Sequence, residues 1–357
     1  MPSEPQAATP YAVGDTAGPP AQRYGHRPTM KDVAARAGVG LKTVSRVVNG
    51  EPGVTADTAE RVQTAITALG FRRNDSARIL RKGRTASVGL VLEDIADPFY
   101  SSLSRAIEEV SRLHGSLLFT GSSDEDPERE EQLALAFCAR RVDGLVIVPA
   151  AGADHRYLEP EIRAGIATVF IDRPPLGLDA DTVLTANAAG ARAGTAHLIS
   201  QGHRRIAFLG DSPDIHTAAE RARGYREAMA EAGLPVHDSW VAMGPTAPER
   251  VEAALAAALS GPHAATALFC GNNRVTVAAV RQLRALDRQV ALVGFDDLEF
   301  ADLLSPGLTV VAQDPAGIGR TAAQLLFARL DGHTGPGRRI ELPARLVMRG
   351  SGEIPPA

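Results

Sequence analysis

The stretch TMKDVAARAGVGLKTVSRVVNG, residues 29–50, holds two helical patterns that meet at one glycine and end on Asn-Gly. Thr29 stands where an N-cap would accept from the first turn of a helix beginning at Met30, and Gly38 suits the left-handed residue that ends it. A second helix is predicted from Leu41 to Asn49. A third follows the capping hydroxyl of Thr55 and runs to Leu69-Gly70. Val33, Ala34, Ala37, Val44, Val47, Val48, Val62, Ile66 and Leu69 recur at helical spacing, enough for one small core. Two helices around a tight glycine turn form a helix-turn-helix pattern, whose second helix offers side chains to base edges in the major groove. Leu41 and Lys42 lie at the N-terminal end of that helix and Arg46 one turn on. An arginine fork matches guanine O6 and N7, and a thymine methyl suits Leu41. Thr29, Thr43 and Ser45 are placed to bond phosphates, with Asn49 at the far end of the same helix. Spacing alone also admits a bland alternative, a three-helix packing module with solvated cations.

Charge distribution supports the first reading. The 357-residue chain has a net charge of −4, yet over 29–84 eleven Lys/Arg face five Asp/Glu, a surplus of six positive charges. Everything after residue 84 carries a net −10. A small basic head for a polyanion and a larger body with another task are expected from such asymmetry. Residues 1–27, rich in Pro, Gly and Ala and without apolar periodicity, read as a disordered tail. No apolar run approaches the roughly 20 residues of a membrane span and no signal-peptide core is present, so a cytoplasmic protein is expected. Cys138 and Cys270, in AFCAR and ALFCG, read as core thiols, and neither a disulfide framework nor a metal site is expected.

From residue 86 the pattern changes. Short apolar runs ASVGLVL (86–92), SLLFTG (116–121), DGLVIVP (143–149), ATVFID (167–172), RIAFLG (205–210), TALFCG (266–271) and VALVGFD (290–296) alternate with helix-length amphipathic segments. That alternation predicts an α/β body of doubly wound parallel sheets, and seven strands plus extras divide into two lobes. Ligands in such folds bind beyond the carboxyl ends of the strands, where polar residues crowd here. Between head and body lies NDSARILRKGRT (74–85), basic, with Asn74 as N-cap and Ala77 and Leu80 on one face. A helix this short is unstable alone, since about 12–15 residues are needed in water, so it suits a conditional switch. Leu80 is suited to wedge into a base step from the minor groove, against the bland reading of a linker anchor.

These motifs together resemble the lactose/galactose-repressor (LacI/GalR) family of bacterial transcription regulators. The likeness runs in order from TMKDVAARAGVGLKTVSRVVNG through NDSARILRKGRTASVGLVLEDIADPFY, FIDRP, GHRRIAFLG, ERARGY, NNRVTV, VGFDD and AQD to LPARLVMRGS, covering about 29–350. It implies that residues 41, 42 and 46 read bases, that Leu80 kinks the centre of a palindromic operator, and that Ala77 and Arg81 are its minor-groove neighbours. It implies a homodimer, no cofactor, and a periplasmic-binding-protein-like body. Its domains are expected at 28–73 (helix-turn-helix head), 74–85 (hinge helix), 86–187 with 314–333 (first lobe) and 188–313 with 334–350 (second lobe), followed by a tail over 351–357.

The resemblance maps an effector cleft onto Asp97, Phe99, Tyr100, Asp172, Arg173, Arg221, Asn272, Asn273, Asp296 and Gln313. Carboxylates, amides and guanidinium forks bond paired hydroxyls while aromatic rings cover an apolar face, which fits a sugar or sugar derivative. Arg221 is expected as a bidentate donor and Asp296 and Asn272 as acceptors. Taken alone, Asp172 and Asp296 also read as caps or turn residues and Phe99 as core. Arg223, Tyr225 and His203 read as packing or turn residues. The chain departs from the family pattern at Gly40, where a capping Ser is usual, at Arg73, where Pro is frequent, and at Asn273, where an Asp is common. With Glu93 and Asp94 nearby, the last change leaves a sugar acid or nucleoside open beside a sugar. No P-loop, HExxH or GxSxG is present, so no catalysis is expected. A solute-binding protein without DNA binding is the alternative, but it would have no use for residues 29–84.

Overall fold

A computed structural model describes residues 28–72 and 84–356. The chain divides into two units, the helical head and the body, described in turn. The expected hinge residues Asn74, Ala77, Leu80 and Arg81, and the tail 1–27, lie outside the described residues.

Among its described residues the head has three helices, α1 (Met30–Ala37), α2 (Leu41–Asn49) and α3 (Ala56–Leu69). Thr29 and Asp32 form a reciprocal capping box, which satisfies two N–H groups at the start of α1. Gly38, with φ 63°, takes the left-handed turn that lets α2 leave α1 at once. Val33, Val44 and Val62, one from each helix, are wholly buried, and Val47, Val48, Ile66, Leu69 and Phe71 pack around them. Arg61 Nη2 reaches from α3 to donate to Ala37 O at 2.7 Å, so the tight turn is held from outside as well.

Among its described residues the body contains twelve strands in two six-stranded sheets. In the first lobe β1 (Ser87–Leu92), α4 (Pro98–Leu113), β2 (Leu117–Ser122), α5 (Pro127–Ala139), β3 (Gly144–Ile147), α6 (Glu159–Arg163), β4 (Ala167–Ile171) and β5 (Asp181–Thr185) alternate. The second lobe runs α7 (Asn187–Ser200), β6 (Ile206–Gly210), α8 (His216–Glu231), β7 (Val241–Met243), α9 (Pro248–Ala258), β8 (Ala267–Cys270), α10 (Asn273–Ala285), β9 (Ala291–Phe295) and β10 (Thr309–Ala312). Then α11 (Pro315–Leu330) packs back on the first lobe, and β11 (Arg339–Leu342) and β12 (Arg345–Val347) finish the sheets. The strand orders are β11-β5-β4-β3-β1-β2 and β12-β10-β9-β8-β6-β7. Every pairing is parallel except β10 with β12.

All seven apolar runs form strands. Those unnamed at the sequence level are β5, β7, β10, β11 and β12, each of three to five residues and too short for periodicity to mark. Two boundaries need correction. Ser351–Glu353, expected in a tail, form a turn packed on the second sheet, where Ser351 Oγ donates to Leu292 O at 2.6 Å and accepts from Thr309 N at 2.9 Å. The sequence reading also assigned 334–350 to the second lobe, but Arg339–Leu342 pairs with β5 and completes the first sheet. The chain therefore crosses between the lobes at 343–344, and Pro343 cannot donate to either ladder. The three crossings are tied together: Ala186 N donates to Leu342 O at 2.9 Å, and Thr185 Oγ1 donates to Gln313 Oε1. Cys138 and Cys270 are buried, each with its thiol pushed up by burial, as core thiols would be.

Candidate functional site

On the head, Leu41 and Lys42 stand exposed at the start of α2, with Leu41 at 45%. Gly40 supplies no side-chain cap, so the open N–H groups there face outward with a positive end. Thr43, Ser45, Arg46 and Asn49 follow, half-buried, while Val44 turns inward. Asn49 Nδ2 donates to Ser45 Oγ (3.2 Å) and Glu51 Oε1 (3.1 Å), which orders the far end of that surface. The Thr29 hydroxyl donates to Asp32 Oδ2 at 2.7 Å and belongs to the capping box.

In the body, strand ends of both lobes surround a cleft of about 500 Å³, open solvent at its mouth included. All ten residues expected there line it: Asp97, Phe99, Tyr100, Asp172, Arg173, Arg221, Asn272, Asn273, Asp296 and Gln313. Asp172 ends β4 and Asp296 ends β9 in the left-handed region, with φ of 66° and 75°. That region costs an L-residue about 1–2 kcal/mol, and Asp tolerates it better than most. Asp172 caps no helix, whereas Asp296 Oδ2 accepts from Asn273 N, the first residue of α10, at 3.3 Å; both are buried on the cleft wall. Asp97 is the N-cap of α4 and accepts from Phe99 N at 2.9 Å. Phe99 packs edge-on to Tyr100, centroids 5.0 Å apart, and is at once half core and half lining.

Two clusters hold the polar lining. Arg173 is nearly inaccessible and donates to Glu125 Oε1 (2.5 Å), Pro149 O (2.9 Å) and Glu93 Oε2 (3.0 Å), with Asp172 at 3.6 Å. Burial opposes its charge, but the surrounding acidic groups outweigh it and raise its pKa. Burial pushes Glu93 up to about 7 despite the opposing guanidinium of Arg173. Tyr100 is driven well upward, by burial first and then by Asp172. Its hydroxyl donates toward Glu93 Oε2 (3.3 Å) and Asp172 Oδ2 (3.5 Å).

In the second cluster Arg221 Nε donates to Asn187 Oδ1 (2.7 Å) and Nη1 to Gly271 O (2.8 Å). Its guanidinium lies over Phe295, 3.9 Å from the ring centroid, with Asp296 at 3.7 Å. Burial raises the pKa of Asp296, opposed by Arg221. Gln313 Nε2 donates to Asp296 Oδ1.

Two expectations are corrected by this geometry. Arg221 is not a free fork, since Nε and Nη1 are already engaged. Asn272 is committed as well: as N-cap of α10 its Oδ1 accepts from Val275 N (2.9 Å) while Nδ2 donates to Asp211 Oδ2 (3.0 Å). Sequence reasoning missed Thr217 and Arg274 as lining, and placed Asp211 only within a strand end, 210–212, without carrying it into the site. Asp211 directly follows the RIAFLG strand, a signal that was legible; Arg274 carried none, because its reach across the cleft is set by the other lobe. Arg223 pairs with Glu220 and Glu227, Tyr225 donates to Ile206 O at 2.7 Å, and His203 is bound between Thr266 and Ile354 O. Tyr225 and His203 are buried packing residues, and Arg223 is an exposed bridging one.

Among the described residues no helix is long and apolar enough to cross a membrane, and no group of three or more His, Cys, Asp or Glu is placed to hold a metal ion.

Residues 29–74 match the family described as bacterial regulatory proteins, lacI family, and residues 195–352 match a periplasmic binding protein-like domain. The chain is 31% identical to the maltose regulon regulatory protein MalI of Escherichia coli (strain K12), over 89% of this chain and 97% of that one. It is 35% identical to the HTH-type transcriptional regulator CelR of Thermobifida fusca, over 91% and 98%. A solved transcriptional regulator CelR–cellobiose complex matches with a TM-score of 0.66 at 33% identity, covering 91% of this chain and all of that one. With a helix-turn-helix head, a two-lobed body and relatives alike over almost their whole length, the chain belongs to the lacI family of DNA-binding bacterial transcription regulators.

Proposed function

We propose that this regulator is a non-catalytic, cytoplasmic repressor whose grip on a palindromic operator is set by a sugar or sugar derivative bound in the body's cleft. The observation that carries the reading is convergence. Ten residues scattered from 97 to 313 in sequence line a single cleft between the two sheets' carboxyl ends, as ligand sites in such folds do. Cellobiose in the related CelR complex supports carbohydrate as the ligand class. Bound ligand changes the angle between the lobes about the three tied crossings. That angle alters the spacing of two hinge segments, 74–85, in a homodimer, and so permits or denies their helical form in the minor groove. Asn74, Ala77, Leu80 and Arg81 would contact DNA there, and Thr29, Leu41, Lys42, Thr43, Ser45, Arg46 and Asn49 in the head. A second copy has a place to sit: Leu113, Leu117 and Phe119 are exposed at and beside the edge strand β2. Couplings of this kind amount to about 1–3 kcal/mol.

Operator fragments recovered by genome-wide footprinting supply the test. Arg46→Ala should weaken binding to such a fragment by about 1–3 kcal/mol per half-site and relax sequence preference, read by gel shift against a scrambled fragment. Leu80→Ala should abolish bending of the same fragment. A chain that binds sugar but whose affinity for DNA is unchanged by either substitution would instead be a solute-binding sensor.

A further inference from the structure

Arg274 is the second residue of α10, and a cation there opposes the positive end of the helix dipole. What holds it lies across the cleft. Nη2 donates to Asp94 Oδ2 at 3.1 Å, Nη1 is 3.3 Å from Glu93 Oε1, and Nε is 3.4 Å from Asp97 Oδ2. All three carboxylates follow β1 in the opposite lobe. Beside them Asn273 Nδ2 donates to Asp97 Oδ1 at 2.9 Å, a bond an Asp at 273 would turn into a repulsion. The Asp97 side chain is only 9% exposed and Glu93 19%, so water screens the cluster incompletely. The other two guanidinium groups of the lining, Arg173 and Arg221, are paired with carboxylates inside the protein. The lining carries five carboxylates against three guanidinium groups.

We infer that Arg274 is a specificity-determining residue: it latches the mouth of the cleft across the two lobes, occupies the carboxylates that an amine would need, and leaves an anion no unpaired cation, so that the cleft selects uncharged polyols. The inference rests on the cleft being the effector site. It accounts for the charge of Glu93, Asp94 and Asp97 at the cleft mouth and for the use of an amide, not an acid, at 273. It also narrows the ligand class by rejecting sugar acids.

The test has two arms on the full chain. Amide hydrogen exchange over 93–100 and 272–276 is compared between wild type and Arg274→Ala in low salt. The variant should exchange about tenfold faster in both segments, and ethylguanidinium, but not equimolar sodium chloride, should restore protection. Unchanged exchange in the variant would overturn the latch. In the second arm, calorimetric titration uses glucose, cellobiose, glucosamine and glucuronate. Wild type should take a neutral sugar at least about tenfold more tightly than glucuronate, and Arg274→Ala should shift preference toward glucosamine. Tighter binding of glucuronate by wild type sinks the inference. If the exchange arm succeeds while no neutral sugar binds, the latch stands and the carbohydrate reading of the cleft falls.

Discussion

Position by position, the two sheets of the body carry counterpart strands, β4 answering to β9 and β1 to β6, and each lobe ends its β4 or β9 on a left-handed aspartate. In the first lobe Asp172 shares Arg173 with Glu93 and Glu125, so one guanidinium is surrounded by three carboxylates. In the second, Asp296 is the carboxylate within 4 Å of Arg221, and the rest of that cation is held by an amide, a backbone carbonyl and the Phe295 ring. One topology thus supports an ionic wall and a hydrogen-bonded wall. The lesson is that strand-end position decides where a side chain points, while neighbouring residues decide its electrical character. A ligand between such walls meets acceptors on one side and oriented amides on the other.

The same pairing appears in helix packing, with the roles exchanged. Gly224 of α8 lies so close to α7 that an added Cβ would meet Ala188 O at 2.1 Å; Gly319 of α11 would meet Leu103 O of α4 at 2.5 Å. Both neighbours are backbone and cannot step aside. Gly224→Ala should therefore cost the most of any change considered, about 3 kcal/mol, and Gly319→Ala about 2 kcal/mol, measured by urea unfolding. Equal costs would mean that the lobes tolerate helix displacement alike.

Neutralising the paired aspartates sharpens the electrical contrast. Asp296→Asn should cost about 2 kcal/mol, less than orphaning a buried charge entirely, because Asn187 and Gly271 keep two bonds to Arg221. Asp172→Asn should cost about 1 kcal/mol, since Glu93 and Glu125 remain on Arg173. Asp296→Asn should also leave operator binding intact while ligand response is lost in the gel shift. The reverse ranking in unfolding experiments would show that the ionic wall depends on Asp172 more than its contacts imply.

The remaining expected effect is a slope. Glu93 titrates near 7 in the folded protein against 4.5 ordinarily, so between those values the native state holds a proton that the unfolded chain has released. Its contribution to stability is complete below 4.5 and is lost as pH rises through about 7. Glu93→Gln should flatten the fall in urea midpoint between about pH 5 and about pH 8. A parallel slope in wild type and variant would place the titration elsewhere in the ionic wall.

Much of this molecule was legible in the sequence because its rules are local. Thr29, Gly38, Gly50 and Gly70 mark helix ends through capping and left-handed turns, and seven apolar runs mark strands, six of them through near-continuous burial and β2 at an exposed edge. The cleft residues came from the family resemblance, through motifs that sit at strand ends or on the helices that follow them. Tertiary structure alone decided the rest. Strand β11 joined the first sheet because pairing partners are chosen by the whole sheet, and a four-residue strand carries no mark of its destination. Arg221 lost its free fork to Asn187 and Gly271, residues 34 positions before it and 50 after it. Arg274 acquired its role from carboxylates about 180 residues away, since Coulomb attraction depends on distance in space and is blind to separation along the chain.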